Sequence, residues 1–208
     1  MLVARTPGAL EEIDDRVRAA GGQATLVPMD LRDGKAIDQL GGAIAQRFGR
    51  LDVLVGNAGE FGTLSPVGHI KPATFEQTLQ LNLVANYRLI RSLDALLHAS
   101  DAGRAIFVTA SQAREHRPFW GACAASKAAL EALVLTYAAE TLRSNLRVNL
   151  IDPGPLRTRL RARAYPGESP DKVPLPEEVT EPFFALAERA CTRHGEIVHA
   201  QPASSASP

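Results

Sequence analysis

The chain has 208 residues, 45% hydrophobic and 22% charged, which suits a single domain with its own core. Lys+Arg and Asp+Glu each number 23, so the net charge is zero, and no charge excess points to nucleic acid, a membrane surface or an ionic partner. Two cysteines cannot build a disulfide framework and suit a reducing, cytoplasmic setting, and five scattered histidines lack the spacing of a metal site.

In chain order, residues 2–4 are the first strand candidate. A helix is expected over 7–20, with Pro7 in its first turn, acids at Glu11 and Glu12, and Gly21-Gly22 ending it. Residues 24–28 read as a strand, and 33–48 as a helix with Ile37, Leu40, Ile44 and Phe48 along one face. The run 51–55 is too short and too β-branched for a helix and reads as a buried strand; 73–97 is mostly helical. A strand over 105–109, a long helix over 121–143, and a strand over 147–151 closed by Pro153-Gly154 follow. Residues 177–192 are expected to be helical, 196–199 a last strand, and 201–208 a polar, disordered tail. The alternation of short strands with longer helices predicts an α/β domain over 1–200, a parallel sheet covered by helices. No apolar run approaches a transmembrane span, and the first residues lack signal-peptide order.

In an open parallel sheet a ligand lies beyond the carboxyl ends of the strands. The segments there are 5–6, 30–31, 56–62, 110–114 and 153–158. Asn57, Ala58 and Gly59 are small enough for the backbone to approach a flat ligand closely, and they equally suit an ordinary strand-to-loop turn. Gly56, Gly59 and Gly62 are three apart and do not make a phosphate-binding fingerprint. Arg5 and Asp30, taken alone, read equally as solvated surface charges or as ligand contacts.

The segments LDVLVGNAG at 51–59 and WGACAASKAAL at 120–130 resemble the short-chain dehydrogenase/reductase family, and the resemblance covers nearly the whole chain. It implies a Rossmann-like doubly wound parallel sheet and an NAD(P)-dependent oxidoreductase that interconverts a carbonyl and an alcohol in a small-molecule substrate. Asn57, Ala58 and Gly59 would then lie beside the adenosine of the cofactor, and Asp30 and Leu31 beside its adenine ring. Arg5 would pair with a 2′-phosphate, which tilts the expectation toward NADP over NAD. Pro153, Gly154, Leu156 and Thr158 would hold the carboxamide end of the nicotinamide. Lys127 would hold the nicotinamide ribose and lower the pKa of a tyrosine one helical turn earlier, and Asn82 would support a proton-relay water or, more plainly, bond a backbone group.

Gly56 stands where the family usually has the first Asn of its Asn-Ala-Gly stretch, and two catalytic positions also depart from the family's pattern. Cys123 stands where the resemblance places the tyrosine, and it reads either as a thiol acid or as a small buried hydrophobe. Ala110 stands where the serine that orients the substrate oxygen would be, with Ser111 beside it as a substitute. The family's first strand and glycine-rich loop have no counterpart in 1–208, so the chain is expected to be N-terminally incomplete, weakened or lost in cofactor binding, and impaired in catalysis. The alternative is a non-catalytic descendant that acts by binding or subunit association. The long helices carry Leu130, Leu133, Val134 and Ala138, and the family forms dimers and tetramers through the equivalent helices, so a homo-oligomer is expected.

Overall fold

Leu2–Ala4 (β1) runs parallel to Leu26–Pro28 (β2), and Pro7–Ala19 (α1) connects them, starting at a proline whose missing N–H no helical bond requires. The computed structural model describes residues 1–202. Gly34–Phe48 (α2) is capped by Asp33, whose carboxylate accepts from Lys35 N at 3.0 Å and Ala36 N at 3.1 Å, and ends at Gly49 with φ +69°. Ile37, Leu40 and Ile44 are buried along one face as expected. Phe48 is not: in the last turn it leaves that face, 52% exposed, beneath the Arg47 guanidinium.

Val53–Gly56 (β3), Arg104–Val108 (β4), Arg147–Asp152 (β5) and Ile197–His199 (β6) form a second parallel sheet in that order. The expected helix 73–97 is three pieces: Pro72–Leu79 (α3), a π turn over Gln80–Val84, and Ala85–His98 (α4). Gln112–Glu115 (α5) and Gly121–Thr141 (α6) lie between β4 and β5, and Arg159–Ala164 (α7) follows β5. The helix expected over 177–192 shrinks to Glu181–Ala187 (α8), after a 3-10 turn at Pro176–Val179. Pro182 explains this, since it is tolerated in a first turn but not in a helix interior. Residues 203–208 of the expected tail lie outside the described residues, whereas Gln201 is tied down: its Nε2 donates to Pro153 O at 2.7 Å and Pro155 O at 2.9 Å.

Helices cover both faces, which makes the fold Rossmann-like and doubly wound. One apolar cluster joins α2, α4 and α6 to the sheets through Leu54, Phe107, Val148 and Leu150; a smaller one joins Leu186 of α8 to Ile106, Val108, Ile151 and Val198. An 18-residue window of α6 has mean hydropathy 1.2, so the expectation that no segment approaches a span in length and apolarity fails there. The reason is its place in the core, with Leu130 and Val134 fully buried and Ala138 nearly so. These residues therefore cannot also form an oligomer contact; Tyr87, Leu135 and Leu142 are the exposed apolar side chains of this helix layer.

Among the described residues no ladder joins β1 to β3. Leu2 N and Ala4 O bond toward β2, and Asp52 O accepts from Arg104 N at 2.8 Å. In a parallel ladder successive residues face opposite neighbours, so Val3, Val53 and Val55 turn their backbone groups to the unpaired edges.

Candidate active site

The carboxyl ends of β3 to β6 open onto one cleft of about 810 Å³. It is lined by 57–61, 108–112 and 152–156, by Cys123 and Lys127 of α6, and by His199, Gln201 and Pro202. A second cavity of about 490 Å³ lies at the amino ends of the strands, against Met1, Thr25 and Asp52, far from this chemistry.

Lys127 is 6% exposed, and its Nζ donates to Val108 O at 2.6 Å. Burial lowers its pKa to about 8, against the opposing pull of Cys123, Asp152 and Glu131. Cys123, one helical turn earlier, is 5% exposed, and burial raises its thiol pKa despite the nearby ammonium. The thiol is therefore protonated at neutral pH. Asn82 sits in the π turn, fully buried, and does not line the cleft. Its Oδ1 accepts from Glu60 N at 2.9 Å, and its Nδ2 donates to Glu60 O at 2.7 Å and Ser126 Oγ at 2.8 Å. The amide thus fastens the loop after β3 to α6. A Cβ on Gly59 would stand 3.3 Å from both Asn82 Oδ1 and Lys127 Nζ, so glycine there keeps the cleft wall open beside the ammonium.

Ala110 and Ser111 both line the cleft. The strand alternation that would turn Ser111 away stops at Val108, and a turn begins, with Ala113 N bonded to Ala110 O. Asn57, Ala58, Pro153, Gly154, Leu156 and Thr158 also line the cleft, and Thr158 caps α7 through Arg161 N at 3.1 Å. Arg5, Asp30 and Leu31 do not line it. Arg5 and Asp30 form an exposed 3.8 Å ion pair at the ends of β1 and β2, and Leu31 packs against the core.

Two groups of residues went unassigned in the sequence. Phe61, Trp120 and Tyr165 make an aromatic wall, with ring centroids 5.7 Å and 5.9 Å from the tryptophan. Arg161 lies 4.0 Å over the Tyr165 ring and is held bidentately by Glu168, both bonds 2.7 Å. Tyr165 falls in the stretch 157–176, which has no chemical motif, so only packing reveals the wall. The other group is Arg114, bonded to Glu131 and Asp152 beside Lys127. The helical spacing of Lys127 and Glu131 puts that acid on the lysine's face of α6, but nothing in the spacing points to Arg114.

The family model for short chain dehydrogenase matches residues 1–169. The chain is 36% identical over 165 residues to the uncharacterized oxidoreductase YciK of Escherichia coli strain K12, covering 79% of this chain and 65% of that protein. It is 33% identical over 165 residues to a fatty acyl-CoA reductase of Acinetobacter baylyi, covering 78% and 55%. The chain therefore spans about half to two thirds of the length of these curated relatives. Among solved structures, a protein of Escherichia coli CFT073 assigned to the short chain dehydrogenases, in complex with NADPH, superposes with a TM-score of 0.91 at 33% identity, over 97% of this chain and 85% of that one. A counterpart from Shigella flexneri, in complex with NADP, matches equally well by the same measures.

Proposed function

The chain belongs to the short-chain dehydrogenases, and from that premise we propose that it is an NAD(P)-dependent oxidoreductase acting on a carbonyl or alcohol, with an impaired proton-transfer step. The observation that carries this reading is the cleft itself, where Lys127, Gly59 and the 153–158 loop meet without the hydroxyls expected at 110 and 123. The residues present fit the ring-and-ribose half of a nicotinamide nucleotide. Gly59 leaves the approach to Lys127 free of a side chain, and Gln201 braces the loop at Pro153 and Pro155. The NADPH- and NADP-bound relatives favour NADP as the cofactor.

When bound, a nicotinamide supplies or accepts the hydride. Lys127 offers the cleft a positive group whose position is set by its bond to Val108 O. Cys123 holds a proton at Sγ, but its side chain is much shorter than tyrosine's, so a carbonyl oxygen at tyrosine's distance is out of reach without a water between. The aromatic wall suits a substrate with an apolar or aromatic body. Free thiols at Cys123 and Cys191 accord with a cytoplasmic setting. A second reading, a non-catalytic descendant acting by binding or association, is favoured by the same missing hydroxyls. NADPH-dependent turnover distinguishes the two.

Titration of the chain with NADPH and NADH, followed by nicotinamide fluorescence, tests the cofactor assignment. NADPH should bind more tightly, and Arg5→Ala should reduce the preference by about fivefold, a modest effect because the guanidinium is solvated. Equal affinities, or a preference that survives the substitution, remove Arg5 from the site. Light scattering at micromolar concentration should give a dimer or larger assembly, with exposed Tyr87, Leu135 and Leu142 as apolar side chains available to it. A monodisperse monomer would count against association.

A further inference from the structure

We propose that Arg114 is a positioning residue for Lys127: it draws Glu131 of α6 and Asp152 of β5 onto one guanidinium, so that neither carboxylate turns to the ammonium. This rests on the reading of Lys127 as the cofactor-holding lysine of the cleft. Arg114 Nη1 donates to Glu131 Oε1, and Nη2 donates to Asp152 Oδ2 at 2.7 Å. Both acids are nearly out of water, with side chains 11% and 4% exposed. Glu131 lies one helical turn beyond Lys127, on the same face. The remaining bonds of the two carboxylates also go to groups other than the lysine: Thr109 Oγ1 donates to Glu131 Oε1 at 2.5 Å, and Gly154 N donates to Asp152 Oδ1 at 3.1 Å. Lys127 Nζ is thereby left to a neutral partner, Val108 O.

The charges balance only with the arginine in place. Two buried carboxylates face two cations, Arg114 and Lys127. Cys123 and Asn82, which also stand near Lys127, are neutral. Glu60, in the loop after β3, is paired with Arg32 at 2.9 Å. His199 of β6 stands 3.9 Å from Asp152 but is 59% exposed, too solvated to replace a guanidinium. Without Arg114 the acids would have one buried cation left between them. An uncompensated buried carboxylate is costly, so Nζ would swing from Val108 O toward it and hold its proton more tightly.

The experiment is a pH titration of the lysine side chains in the full chain by carbon-13 NMR, with no cofactor present. Only Lys35, Lys71, Lys127 and Lys172 contribute. Lys127 should titrate near pH 8 in the parent and at about pH 9 or above in Arg114→Gln, since two adjacent carboxylates favour the charged form. Arg114→Lys, which restores the charge without the fork, should return part of the difference. Arg114→Gln/Glu131→Gln removes one charge of each sign and should bring the midpoint back toward the parent's; it also keeps the question open to test if the single variant does not fold. An unchanged midpoint in Arg114→Gln, or a midpoint raised as far in the double variant as in the single one, would overturn the proposal. Failure of the oxidoreductase reading would look different: no NADPH binding, with the lysine midpoints still moving as described.

Discussion

Cys123→Tyr combined with Ala110→Ser should raise NADPH-dependent carbonyl reduction at saturating nucleotide by at least about tenfold over the parent chain. Reduction needs a proton on oxygen as hydride reaches carbon, and a positioned acid typically contributes about 10²–10⁴-fold. Both positions line the cleft, and Lys127 lies one turn beyond Cys123, where its charge would lower the pKa of a new phenol. The thiol now at 123 is short, buried and protonated, so it donates poorly to an oxygen at a tyrosine's distance. The two new hydroxyls would act on one oxygen, so the single changes should each give less than a simple division of the double effect. Robust turnover by the parent that Cys123→Ala abolishes would show instead that the thiol is a working acid.

Backbone amides of Val3, Val53 and Val55 should exchange with solvent at least about 10³-fold faster than those of Phe107 and Leu150. The first three face edges that no strand pairs among the described residues, and Val53 and Val55 are 37% and 45% exposed. Phe107 and Leu150 are fully buried between paired strands in the middle of the four-stranded sheet. Hydrogen exchange read by NMR compares these amides directly. Comparable protection at Val53 and Phe107 would mean that the gap between β1 and β3 closes in solution. Val3 and Leu54 belong to the same apolar cluster across that gap, so the two sheets remain one folded unit even without a shared ladder.

The parts of this protein legible in the sequence are those set by local spacing. The apolar face of α2, the strand runs and the placement of Cys123 one turn before Lys127 all follow from periods of two or 3.6 residues. The segments following the strand ends were identifiable for the same reason, and those after β3, β4 and β5 line the cleft. Local reasoning failed where one residue overrides a pattern. Pro182 shortened the last helix, the π turn around Asn82 interrupted an otherwise helical stretch, and the strand ended at Val108 before its alternation reached Ser111. Nor could spacing show that Arg5 and Asp30 pair with each other, or that Phe61, Trp120 and Tyr165 make a wall from three separate segments. The Arg114 link from α5 to α6 and β5 likewise exists only in the fold. Periodicity decides which way a side chain faces from its own backbone. Which charges and rings meet depends on how the elements pack, and that packing brings residues far apart in the chain into a low-dielectric space where a single unpaired charge is costly.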